Sequence, residues 1–218
     1  MTPPSPLMMS QTPSSLRTCL RDPIPEILDA ARYLDAAVSA HLRGKRALAE
    51  ELIRLADIAA IRDWSESLWG VGGPWTRPLP VEVRLPFVPK EQRIKARMPS
   101  KAEVATLLAR DGFHCRFCGI PLVRAETRAR IRQTYPDAVR WGDRNAEQHF
   151  GFQALWLQYD HLLPHARGGS NELENMVVTC APCNNGRSNL TLDEVGLSDP
   201  RLREPVRSYW DGLERFRA

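Results

Sequence analysis

No run of apolar residues in this 218-residue chain approaches the ~18 needed to cross a bilayer. The opening stretch, MTPPSPLMMSQTPSSLRT, lacks the charged start and long apolar segment of a secretory signal. No internal repeat is visible. These absences exclude a membrane-spanning or solenoid class, and we expect a soluble cytoplasmic protein with no membrane partner. Cysteine is scarce at five residues, and four of them fall into two C-x-x-C pairs. In a chain without a secretion signal that pattern reads as zinc before disulfide. With 43% hydrophobic and 26% charged residues, there is material for a core and no sign of wholesale disorder.

The net charge is +4, a weak indication of a polyanionic partner. Its distribution says more. From Arg84 to Arg132 there are twelve Lys/Arg against four Asp/Glu, while the rest of the chain sums to −4. That stretch can serve a nucleic-acid backbone, or it is an ordinary solvated face.

The chain divides by composition. Residues 1–22, rich in Pro, Ser and Thr, read as disordered, with Cys19 a free thiol in them. Residues 23–70 read as a helical hairpin: Ile27, Leu28, Ala31, Leu34, Val38 and Leu42 on one helix, then a break at Gly44. A second helix follows from Lys45 to Trp69. Its stripe over 24–69 is packing or a surface for a protein partner or self-association. Residues 71–99 carry a proline-rich linker, with an edge strand expected over Val81–Leu85. Ser100 and Glu103 form a capping box that opens a helix from Lys101, ended by Gly112. A helix-like stretch follows over Arg124–Tyr135. Strands are expected at Phe152–Tyr159 and Met176–Thr179, then a helix over Ala181–Asn189 with Pro182 in its first turn. A terminal helix is expected over Ser208–Phe216.

Cys115, Cys118, Cys180 and Cys183 place two sulfurs on each of two tight turns, as a structural Zn²⁺ site requires. A redox dithiol or plain core cysteines are the competing readings. Between the pairs, Asp160 and His161 end a strand and Asn184 opens a helix. Asp and Asn offer hard oxygen ligands suited to Mg²⁺ or Mn²⁺. A neighbouring histidine can take a proton from water, and cation plus base is a minimal set for phosphodiester hydrolysis.

Over Arg110–Asn189 the sequence resembles the HNH, or ββα-metal, endonucleases. The resemblance runs through RDGFHCRFCG, YDHLLPHARGGSN and ENMVVTCAPCNNGRSN. It implies an α+β fold: a small ββα-metal nuclease domain at 100–191 bearing a four-cysteine structural zinc, with an insert at about 119–151. The helical hairpin precedes it and a C-terminal extension, 192–218, follows. It further implies a metal-dependent endonuclease acting on DNA. His161 corresponds to the general base, Asp160 and Asn184 to ligands of the catalytic Mg²⁺ or Mn²⁺. Asn175 corresponds to the asparagine that braces the loop and orients the base. Arg187 matches a basic position that contacts phosphate, and His165 in the turn is a second candidate contact. Cys115, Cys118, Cys180 and Cys183 match the structural zinc of the zinc-bearing branch. His149 in the insert is a candidate accessory ligand, and Trp141 and Trp156 read as core before stacking platforms. The competing functions are a non-cleaving zinc-knuckle nucleic-acid-binding module and an adaptor working through its hairpin.

Overall fold

The computed structural model describes residues 16–69, 73–95 and 97–217. The expectation for 1–22 therefore lies mostly outside the described residues. Where residues 16–22 are described, they are not loose. Arg17 pairs with the 196–198 segment through backbone bonds of 3.0 and 2.8 Å, and Cys19 and Leu20 are buried. Cys19 is thus a core thiol, its Sγ 3.4 Å from Asp22 Oδ1, and burial pushes its pKa up to about 12.

Helix α1, Pro25–Leu42, starts on a proline whose missing N–H is no loss in the first turn. It buries Ile27, Leu34 and Val38, and Gly44 follows it at a φ of +74°. The expected single second helix is instead two, α2 (Arg46–Leu55) and α3 (Ala59–Trp69). The break has a physical cause. Asp57, freed from helical geometry, accepts the Phe150 N–H at 2.7 Å and the Arg140 guanidinium at 2.7 and 2.9 Å. Gly151 meanwhile passes so close to Ala56 that a Cβ there would lie 2.5 Å from the Ala56 carbonyl. The interruption is where the insert docks.

Helix α4, Lys101–Asp111, opens on the expected capping box. Ser100 Oγ accepts from Glu103 N–H at 3.3 Å, and the Glu103 carboxylate accepts from Ser100 N–H at 2.7 Å. Gly112, with φ +72°, ends it. Helix α5 spans Ala125–Thr134. Part of the segment expected as the first strand is helical: α6 covers Phe150–Ala154, its first turn capped by His149, whose Nδ1 accepts from Phe152 N–H at 3.2 Å. Of the aromatics in 152–159, Phe152 is buried in α6, Trp156 packs edge to face against Trp141, and Tyr159 lies on β1.

Strand β1, Leu157–His161, pairs antiparallel with β2, Met176–Cys180, in the register Leu157↔Cys180 to His161↔Met176. Helix α7, Ala181–Arg187, follows without a gap, Pro182 in its first turn. That is a ββα unit. The hairpin backs it directly. A Cβ on Gly186 would meet Leu68 O and Leu20 Cδ1 at 2.9 Å each, so α3 and α7 lie against each other. The hairpin's buried side chains, among them Ile61, Trp64 and Leu68, belong to the same core as β1 and β2. Part of its apolar stripe is therefore used internally, while Leu28, Leu42, Leu48 and Leu55 stay exposed.

Residues 81–85 are extended but form no strand. The segment is nonetheless held down: Leu79 N–H donates to Glu194 O at 2.7 Å and Val88 N–H to Ala166 O at 2.9 Å. At the other end, Ser208–Phe216 is a chain of turns, not the expected helix. Gly212 and Leu213 take φ values of +68° and +62°. The Asp211 carboxylate accepts from Leu213 N–H (2.9 Å) and Arg215 N–H (3.2 Å), giving the backbone a local alternative to a helix. Leu213 and Phe216 are still buried.

Candidate nuclease site

The two C-x-x-C turns meet. All four cysteine sulfurs lie within 4.8 Å of one another, and Cys118 and Cys180 Sγ are 3.7 Å apart. A tetrahedron with Zn–S bonds of about 2.3 Å has edges of about 3.8 Å, so the donor set fits zinc. Gly119, at φ +78°, closes the first turn, its N–H donating to Cys115 O at 2.9 Å. Arg116 N–H donates to Val178 O at 2.9 Å and ties that turn to β2. Outer contacts favour charged sulfur. Thr179 Oγ1 lies 3.4 Å from Cys115 Sγ, and Cys183 N–H donates to Cys180 Sγ at 3.4 Å. Burial resists a thiolate at Cys115, but hydrogen bonds from the other three cysteines and Thr179 outweigh it and hold its pKa low.

The β1–β2 loop carries the second constellation. Asn175 bridges it. Its Oδ1 accepts from Leu163 N–H at 2.8 Å, and its Nδ2 donates to Leu163 O (3.1 Å) and Ser170 O (2.9 Å). The tight turn needs Gly169, where a Cβ would sit 1.8 Å from Leu163 O. His161, at the end of β1, and His165 stand edge to face with ring centroids 4.6 Å apart. Both direct Nε2 at one oxygen, Asn171 Oδ1, at 3.3 and 2.8 Å. Asn171 Nδ2 donates to Lys95 O at 3.1 Å, which orients the amide with its oxygen toward the rings. An accepting oxygen asks for Nε2–H on both rings and leaves each Nδ1 as the free acceptor. Burial, then the neighbouring His165, lowers the His161 pKa below the ordinary histidine value, against the pull of Asn171. Asn171 escaped sequence reasoning; its place just after Gly168-Gly169-Ser170, in the turn facing His161, is the only signal it had.

Asp160 is buried and holds a buried arginine. Arg187 Nη2 reaches Asp160 Oδ1 at 2.5 Å and Nε reaches Oδ2 at 3.1 Å. Arg187 also donates to the backbone carbonyls of His161 (2.5 Å), Leu162 (3.3 Å) and Leu190 (2.7 Å). With no accessible surface, it cannot be the phosphate contact expected of it. Burial pushes the Asp160 carboxyl upward, against the guanidinium's pull. Asn184 lies half-buried on the first turns of α7. Asp160 and Asn184 have oxygens of the right hardness for Mg²⁺ or Mn²⁺, but both Asp160 oxygens are occupied by Arg187. A cation there would compete with the Arg187 guanidinium for Asp160.

Other expected candidates resolve as structure. His149 is fully buried, its Nε2 2.9 Å from Ile53 O and its Nδ1 used for capping, so it is no accessory ligand. Arg128 lies 3.5 Å from the Trp141 ring centroid and 4.6 Å from that of Trp156, and burial draws its pKa down to about 10. Five of the twelve basic residues in the stretch from Arg84 to Arg132, namely Arg84, Arg97, Arg110, Arg124 and Arg130, pair with carboxylates.

Residues 149–190 match the family model described as HNH endonuclease. This segment of the chain is similar to an HNH endonuclease domain. The four-cysteine cluster fits the zinc-bearing branch of that family. Neither the curated proteins nor the solved structures give a match to this chain. At the level of the family, the HNH domain implies nuclease-type activity on nucleic acid, with a divalent metal in common use. Among the described residues, no helix is long and apolar enough to cross a membrane.

Proposed function

We propose that the chain is a metal-dependent endonuclease that hydrolyses phosphodiester bonds in DNA, working in the cytoplasm. The observation that carries this reading is the geometry of His161 at the end of β1, its Nε2 held by Asn171 Oδ1 so that Nδ1 is left as the proton acceptor. In this reading Nδ1 takes the proton of the attacking water as that oxygen approaches phosphorus. Asn171 holds the ring through Nε2 and bears part of the charge that develops on it. Asn175 fixes the loop, and Arg187 fixes the His161 carbonyl, which makes both positioning residues. His165 shares Asn171 and, in this reading, is a second contact to the scissile phosphate. Cys115, Cys118, Cys180 and Cys183 would hold a structural Zn²⁺ that joins α4's end to the ββα unit. A catalytic Mg²⁺ or Mn²⁺ on Asp160 and Asn184 requires Asp160 to exchange Arg187 for the ion.

One observation favours a second reading, a zinc-bearing nucleic-acid-binding module that does not cleave: the Asp160–Arg187 pair is closed. Incubating the purified chain with plasmid, linear duplex and single-stranded DNA, each with Mg²⁺, Mn²⁺ or neither, separates the two. Cleavage that depends on added cation supports the endonuclease. Binding without cleavage under every cation supports the module.

A further inference from the structure

A second arginine cluster stands apart from His161 and is built mostly outside the family-matched segment. Between the end of α4, the first C-x-x-C turn and residues 201–207 lies a cavity of about 520 Å³. Arg110, Arg116, Arg201, Arg203 and Arg207 line it, against three carboxylates. Two of these arginines are neutralised: Arg110 by Asp111 at 2.8 Å and Arg201 by Asp199 at 2.6 Å. Arg116 is paired only loosely, its Nε 3.6 Å from Asp111 Oδ1, and its Nη2 already donates to the Pro200 and Arg203 carbonyls. Arg203 and Arg207 each give Nη2 to one backbone carbonyl, that of Arg116 at 2.5 Å and of Arg110 at 2.8 Å. Neither has a carboxylate partner among the described residues. The Arg116 side chain is only 7% exposed, and Asp111 is too far from it for a hydrogen bond. Its buried Nε has no acceptor. Glu174 and Glu204 on the lining are exposed to water.

A buried guanidinium short of an acceptor, beside two more that lack counter-charge, calls for an oxyanion. Guanidinium forks match phosphate oxygens in pairs. The place of the cavity suggests whose phosphate. Arg110 Nη2 also donates to Met176 O at 2.5 Å, and Met176 is the residue paired with His161 across the sheet. Paired strand residues lie about 4.5–5.5 Å apart, so one wall of the cavity stands a strand's width from His161. We propose that Arg203 and Arg207, backed by the buried Arg116, form a phosphate-binding subsite that grips the DNA backbone away from the scissile bond. The proposal rests on the reading that DNA is the substrate. It gives residues 201–207 a role in holding substrate.

The test is fluorescence anisotropy of the full chain on a labelled duplex, without added Mg²⁺ or Mn²⁺, as a function of salt. Each lost phosphate contact should reduce the slope of log affinity against log salt by about 0.9. Arg203→Gln/Arg207→Gln should lower affinity about tenfold near 0.15 M salt and flatten the slope by about two contacts. The single Arg207→Gln, at an exposed position, should flatten it by about one. Arg43→Gln/Arg46→Gln, which removes two exposed charges on the α1–α2 turn, should leave the slope unchanged. Zinc content and melting temperature should match wild type in every variant. An unchanged slope in the double variant, with wild type binding DNA normally, overturns the subsite alone. The same flattening in the Arg43/Arg46 control also overturns it, because any lost charge would then suffice. A wild-type chain that binds no DNA overturns the substrate reading and the subsite together. Competition by millimolar inorganic phosphate against chloride at equal ionic strength would assign the cavity to free phosphate and overturn the DNA assignment.

Discussion

Asn171 holds two histidines with one oxygen, and that makes it a sharp place to probe the site. Asn171→Ala removes the acceptor that fixes the His161 tautomer. Cleavage should fall by roughly 10–100-fold, less than the ~10²–10⁴-fold of losing the base outright, with KM for DNA little changed. Asn171→Asp should keep the geometry and raise the His161 pKa, because a carboxylate favours the imidazolium. Its pH–rate profile should shift to higher pH relative to wild type, an effect a purely structural residue would not produce. The Asp160–Arg187 pair belongs to the same scale. Breaking a buried ion pair from one side leaves an uncompensated charge, so Arg187→Met should cost about 3–5 kcal/mol in urea unfolding. Asp160 and His161 are adjacent letters of a motif, yet their partners were differently legible. Cysteine spacing announces its own convergence because four thiolates have one common use. Arg187 gave no sign that it would turn inward, since an arginine near a motif reads as solvent-facing until a buried carboxylate is known to face it.

At the scale of elements, α4 and α7 were readable because their starts are local chemistry: a Ser-x-x-Glu box and a first-turn proline. The helix break at Asp57 and the short α6 were not, because both are decided by a contact between segments about 93 residues apart. No periodicity within either segment carries that information. The turn at Gly212–Leu213 has a local cause instead: Asp211 bonds the Leu213 and Arg215 N–H groups and competes with the helix that the apolar spacing allowed. Docking of α3 on α7 makes a prediction with an informative sign. In a free helix, Gly186→Ala would stabilise by about 0.5–1 kcal/mol. Here the new Cβ meets Leu68 O at 2.9 Å, a backbone atom that cannot turn aside. Gly186→Ala should therefore lose about 1–3 kcal/mol by overpacking, read as a lower urea midpoint.

For the whole molecule, acid and zinc are the two levers. His149, His114 and His161 all have pKa values lowered by burial. The unfolded chain, with histidines near ~6.5, takes up protons before the native one does. Stability should hold above that value and fall as pH drops from about 6.5 toward the lower native values, a trend that urea midpoints between pH 7.5 and 5 would check. Zinc joins the 115–119 turn to β2 and α7, so Cys180→Ser should lose the metal and unfold the ββα unit together, seen as zinc stoichiometry falling from about one toward zero with loss of cooperative melting.

The central claim is that His161 is the proton acceptor of a DNA-cleaving site, and single-turnover cleavage of duplex DNA by wild type and His161→Ala tests it most directly. Measured with Mg²⁺ or Mn²⁺ at matched zinc content and saturating protein, the rate should fall by about 10²–10⁴-fold in the variant. DNA affinity should be unchanged, and higher cation concentration should restore nothing. Wild-type activity should also decline below the lowered His161 pKa. A His161→Ala chain that cleaves at the wild-type rate would contradict the account.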